Sequence, residues 1–95
     1  MEEPRRITLN GRRMRDRESA YRYLKRKLRL RGGCGKNLDA LHDVLSEPRF
    51  HAEITLTRTD RLFRSMGEYG QRFIDMMVDT AGENPNLVFR VENDR

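Results

Sequence analysis

The 95-residue chain has one cysteine, three prolines and no tryptophan. A lone thiol, Cys34, closes no internal disulfide. That excludes the bridge-stapled scaffolds on which small secreted domains usually depend and points to a reducing compartment. No stretch approaches the roughly 20 consecutive apolar residues of a membrane helix. The opening Met1-Glu2-Glu3-Pro4-Arg5-Arg6 leads into no apolar segment of the signal-peptide kind. A cytoplasmic protein without membrane contact is expected. Repeats and low-complexity linkers are missing too, and the length leaves no room for a second core, so a two-domain enzyme is excluded. One domain over residues 1–91 is expected, with 92–95 as a loose tail.

What is abundant is charge. Charged residues are 37% of the chain and hydrophobic ones 36%, so the core must be modest, yet the apolar positions recur with clear periodicity, which argues for folding. The net charge of +5 is unevenly spread: residues 1–33 hold 12 Lys and Arg against 4 Asp and Glu, and residues 34–95 hold 8 against 11. A strongly basic first third thus precedes a mildly acidic remainder, and the surface should present two different fields.

Ile7-Thr8-Leu9 before the turn pair Asn10-Gly11 predicts a strand over 6–10. Asp16 caps a helix over 17–28, with Ala20, Tyr21, Leu24 and Leu28 on one stripe. The glycines around Cys34 break it. Asn37 caps a second helix over 38–46, turning Leu38, Leu41, Val44 and Leu45 inward. Alternation over 53–57 predicts a strand, and Thr59 or Asp60 caps a short helix over 60–66. Gly67 separates it from a helix over 68–81, with Tyr69, Phe73, Met76, Met77 and Thr80 on one side, stopped by Gly82 and Pro85. Leu87 to Val91 is the last strand. Strands alternating with helical stretches imply an α/β fold: a three-stranded parallel sheet packed by about four helices.

Several constellations invite chemistry and fall short of it. Gly35-Lys36 follows glycines, but a phosphate loop also needs a Gly where Leu30 stands and a Ser or Thr where Asn37 stands. Cys34, His42 and Asp39 or Asp43 can be drawn as nucleophile, base and orienter, or with His51 as a zinc site, yet no spacing enforces either and a structural zinc wants more soft ligands. No catalytic residue, metal or other cofactor is expected. The Arg-rich stretch 12–31, with Tyr21 and Tyr23 interleaved, offers a nucleic-acid reading in which the first helix meets phosphates; of the two tyrosines, Tyr21 falls on the apolar stripe.

The informative cluster is in the second helix. Asp39 and Asp43, at i and i+4, share a face, with His42 between them and Glu47 a turn further on. Like charges so placed cost a helix roughly 0.2–0.5 kcal/mol, partly offset for Asp39 by the helix dipole. Stability alone does not favour the arrangement.

These residues also carry a resemblance. Asn37-Leu38-Asp39-Ala40-Leu41-His42-Asp43, after a glycine-containing loop, resembles the Asn-Leu-Asp-Ala-Leu-Trp-Asp signature of the barstar family, and the first strand with its Asn-Gly turn and the order of elements to Val91 are similar as well. The resemblance implies a cytosolic, non-enzymatic inhibitor, monomeric when free and of the immunity or toxin-antitoxin type. Its second helix and preceding loop would cover a ribonuclease active site, with carboxylates standing in for RNA phosphates. Carried over by position, Asn37, Asp39 and Asp43 match the motif and Asp79 matches an acidic residue at the edge, while Glu47 adjoins the helix. Gly33 and Cys34 stand where the family has aromatics, and His42 where it has Trp, so three anchors of the kind that often form hot spots are replaced. The rival expectations are an RNA-binding module using the first helix, or the same scaffold bound to another protein.

Overall fold

The structure, a computed structural model, describes residues 4–31 and 37–92. Strand β1 (Arg5–Asn10) is followed by a 3-10 turn (Gly11–Arg13), helices α1 (Arg17–Leu28) and α2 (Leu38–Leu45), and strand β2 (Ala52–Thr57). Helices α3 (Thr59–Met66) and α4 (Glu68–Glu83) then lead to β3 (Leu87–Glu92). The sheet has the order β1-β2-β3 and both pairings are parallel, with Ile7 beside Ile54 and Ile54 beside Phe89. The α/β class and the three-stranded parallel sheet expected from the periodicity are what the chain forms.

One face of the sheet is covered. In β2 the residues Ala52, Ile54 and Leu56 are fully buried while Glu53, Thr55 and Thr57 between them are half-exposed. Ile7 and Leu9 extend that buried face across β1. The helices close over it with Leu24 and Leu28, Leu41 and Leu45, Leu62, and Phe73 and Met77. Parallel sheets usually have helices on both faces. Here the second face is polar instead, and Arg90 reaches Glu53 across it at 3.6 Å.

The element ends differ from expectation for local reasons. The cap of helix α3 is neither Thr59 nor Asp60 but Arg58, in the left-handed region (φ 55°), which gives no side-chain cap bond and whose carbonyl accepts from the amides of Arg61 and Leu62. Helix α4 continues past Gly82 to Glu83 and ends where Asn84 turns extended ahead of Pro85. On α1 the buried tyrosine is Tyr23, whereas Tyr21 is half-buried at the rim of the core. Tyr23 tolerates burial because its hydroxyl accepts from the Asn10 amide at 2.9 Å. Arg13 and Arg26 lie over its ring at 5.5 and 5.8 Å, and with 7% of its surface exposed it offers no face for a stacked base. Arg22, on the exposed side of α1, pairs with Glu18 at 3.6 Å.

Asn84 is a polar residue with no exposed surface, and its amide nitrogen donates to the carbonyls of Leu45, Glu47 and Phe50 at 2.9–3.0 Å. Its side-chain oxygen accepts from the Asn86 amide. One amide thus ties the end of α4 to the end of α2 and to the connection into β2.

Two glycines give opposite predictions. A Cβ on Gly11 would fall on the Arg58 carbonyl oxygen, with the Arg58 carbon at 3.0 Å and the Thr57 oxygen at 3.1 Å, all of them backbone. Gly11→Ala should cost about 2–3 kcal/mol through overpacking. A Cβ on Gly82 meets nothing within 4 Å, and Gly82→Ala should gain about 0.5–1 kcal/mol of helix stability. Thermal and denaturant melts of the two variants check both signs.

Candidate functional site

Helix α2 is held at both ends. The Asn37 side chain accepts from the Ala40 amide at 2.8 Å, satisfying one of the first-turn donors, and the carbonyl just inside the other end goes to Asn84. Leu41 and Leu45 are buried, so the helix cannot rotate without exposing them. Its outward side carries Asp39 and Asp43, both exposed, and no Lys or Arg. Gly33 and Cys34 lie outside the described residues.

His42 is the hinge of the site. Its Nε2 is 2.5 Å from Glu83 Oε2 on α4, and its Nδ1 is 3.8 Å from Asp43. The Glu83 hydrogen bond outweighs partial burial and, with the nearby carboxylates, raises the His42 pKa above its ordinary 6.5. Where an aromatic residue was the expectation from the resemblance, the chain has an ionic clip between two helices. Glu83 was not among the expected site residues. Its signal in the sequence is thin, because the reach from position 42 to position 83 exists only once α2 and α4 pack.

Asp79 is exposed one turn before Glu83 on α4, so α2 and α4 together present Asp39, Asp43, Asp79 and Glu83 on neighbouring helices. Glu47 lies past the end of α2 and is engaged by Arg49 at 2.9 Å. It stands at the margin of the acidic face.

At the start of α2 the structure adds two aromatic residues. Tyr21 and Tyr69 join α1 to α4 through a short contact between their hydroxyls, and Arg17 lies over the Tyr69 ring at 4.3 Å. Burial and the Tyr69 hydroxyl push the Tyr21 phenol well up, and the Asp39 carboxylate is close enough to push it further. Tyr21 therefore stays neutral beside Asp39. The apolar period of each helix was legible, but the pairing of the two rings was not.

Among the described residues no three His, Cys, Asp or Glu side chains are grouped to hold a metal, and no helix is long and apolar enough to cross a membrane. What the acidic face can do is accept: its carboxylates suit cationic side chains of a protein partner, through charge-assisted hydrogen bonds.

The comparison with protein families agrees with this geometry. The sequence model described as Barstar (barnase inhibitor) matches residues 5–93. The chain belongs to the barstar family, a family of ribonuclease inhibitors and not of enzymes. Among curated proteins no match is found.

The clip makes a pH prediction. Because the folded His42 pKa lies above the unfolded one, the stability it supplies is fully present below about pH 6.5 and is lost as pH rises through the folded value. Glu83→Gln should therefore lower the thermal midpoint at about pH 5.5 and have a smaller effect above the folded pKa. A difference that stays constant over the range would show that His42 is not linked to Glu83 by charge.

Proposed function

We infer that the exposed acidic face of α2, bordered by Asp79 and Glu83 of α4, is the surface with which this protein binds a ribonuclease and covers its active site. The observation that carries the reading is the pair Asp39 and Asp43. Both carboxylates are exposed on one side of a helix clamped at both ends. Asp39 has no ion-pair partner among the described residues, and the one cation near Asp43, His42, is shared with Glu83. Such a pair costs the helix stability, which is the expected signature of groups kept for a partner.

A ribonuclease cleft gathers cationic side chains where RNA phosphates lie. Carboxylates on a rigid helix meet those cations without first having to be ordered, so little conformational entropy is lost on binding. Asn37 serves the surface indirectly, by fixing the first turn that carries Asp39. Gly33 and Cys34, which precede α2 in the sequence, are proposed to meet the same partner, and Glu47 belongs to the rim of the face. Tyr21 and Tyr69, beside Asp39, take over part of the aromatic surface that the loop lacks. The biological setting that fits is immunity: a small inhibitor, monomeric when free, retained in the cytoplasm to neutralise a toxic ribonuclease.

The test begins with the tagged protein as bait in a lysate of its source cell, followed by a ribonuclease assay of what co-purifies. Against that enzyme, Asp43→Ala should raise the inhibition constant about 100-fold or more, the scale of a buried cation losing its counter-ion. The free protein should keep its stability or gain slightly, since Asp39 loses a like-charged neighbour and Ala is the better helix former. Lost stability with unchanged inhibition would make Asp43 a structural residue and contradict the reading.

A further inference from the structure

On another side of the molecule the end of α1, the start of β1 and the α2–β2 connection enclose a groove of about 560 Å³. Its walls carry Arg5, Arg29, Arg31 and Arg49, and its floor includes Leu28 and Phe50. Past Arg5 and Arg29 it runs into a second depression of about 400 Å³ that adds Arg6, Arg26 and Lys27. Among the described residues Glu47 is the single carboxylate on these walls, and it is taken by Arg49. Among the described residues none of the other six cations has an ion-pair partner. This is where the basic excess of the first third of the chain collects, and α1 contributes only its last turn.

Two details mark the groove as arranged for an anion. The Arg5 guanidinium is pinned, donating to the Leu28 carbonyl at 3.2 Å and lying over the Phe50 ring at 5.3 Å, so it has less freedom to lose on binding. Arg29 sits in the left-handed region (φ 56°, ψ 48°) as the residue that ends α1, a place where glycine is the unstrained choice. The chain carries a strained arginine there, at the junction of the two depressions. Strain of this kind at a residue lining a groove is a pointer to function.

We propose that this groove binds single-stranded RNA through its phosphates. A run of unpaired cations along a continuous channel matches the spaced charges of a nucleic-acid strand better than a single small anion, which would need only one or two of them. Among the described residues the lining holds no Asn, Gln or free carboxylate, so adenine and cytosine edges find no bidentate or accepting side chain there and the phosphates carry most of the binding. Leu30 and Phe50, both part-exposed, give bases a small apolar floor beside the Arg5 guanidinium that a duplex, with its base faces hidden, cannot use. The proposal does not depend on Asp39, Asp43, Asp79 or Glu83, although Val44 of α2 lines the groove and Glu47 stands at the margin of both surfaces.

The test is fluorescence anisotropy of the full-length protein with a labelled 12-nucleotide oligouridine between about 50 and 200 mM salt, where phosphate contacts dominate the salt slope. Binding should weaken with salt. The double variant Arg29→Gly with Arg31→Gln should flatten the slope of log affinity against log salt by roughly 1.4, at about 0.7 per lost contact. The thermal midpoint of Arg29→Gly alone should be unchanged or higher, because the strain is relieved, so a loss of binding cannot be blamed on unfolding. Arg64→Gln with Arg72→Gln, exposed on α3 and α4, is the control and should leave the slope unchanged. Absence of binding at low salt, an equal loss in the control variant, or duplex RNA binding as tightly as the single strand would each overturn the proposal. Asp43→Ala should leave RNA binding intact, which keeps this result separate from that of the inhibitor reading.

Discussion

The side-chain amide of Asn84 fixes where the acidic helix sits. Its two amide protons are shared among the backbone carbonyls of Leu45, Glu47 and Phe50, at the end of α2 and along the following connection, and the Glu47 carbonyl also accepts from the Phe50 amide. Unpaired carbonyls there would each cost about 1–3 kcal/mol. The same residue ends α4, so the C-terminal ends of α2 and α4 are joined at one point. Everything proposed for the acidic face depends on that junction: the contact of His42 with Glu83, and the packing of the helix that carries Asp39 and Asp43 against the one that carries Asp79.

Charge is distributed so that two surfaces do different work on a small core. The helices on one side of the sheet leave carboxylates on α2 and α4, while the arginines gather where α1 ends and β1 begins. Several arginines in and just before the first helix are used locally. Arg13 and Arg26 cover Tyr23, and Arg22 pairs with Glu18. The net charge therefore says little about either surface. Position along each element decides which charges remain available, and the acidic helix stays acidic inside a chain of net charge +5.

Much of the fold was legible because its signals are local. The alternation at Ile54 and Leu56, the caps at Asp16 and Asn37, and the stops at Gly67 and Pro85 each need only a few neighbouring residues. The start of α3 was not legible: it rests on a left-handed Arg58, and on the close approach of Gly11 to that residue's carbonyl, across 47 positions of sequence. The acid pair at Asp39 and Asp43 was visible from spacing. Glu83, Tyr69 and Asn84 were not, since their roles arise from contacts between α4 and the elements from the first half of the chain. Asn84 before Pro85 reads as a turn residue, and nothing in the sequence announces three buried carbonyls around it.

The central claim is that the acidic face occupies the place of RNA phosphates on a ribonuclease. The most direct measurement is the inhibition pattern of the captured enzyme with RNA as substrate. If α2 enters the substrate cleft, the protein and RNA exclude one another: the apparent inhibition constant rises in proportion to RNA concentration above the Michaelis constant, and the maximal rate is recovered at saturating RNA. An inhibition constant independent of RNA concentration would mean that both bind at once, and would contradict the claim.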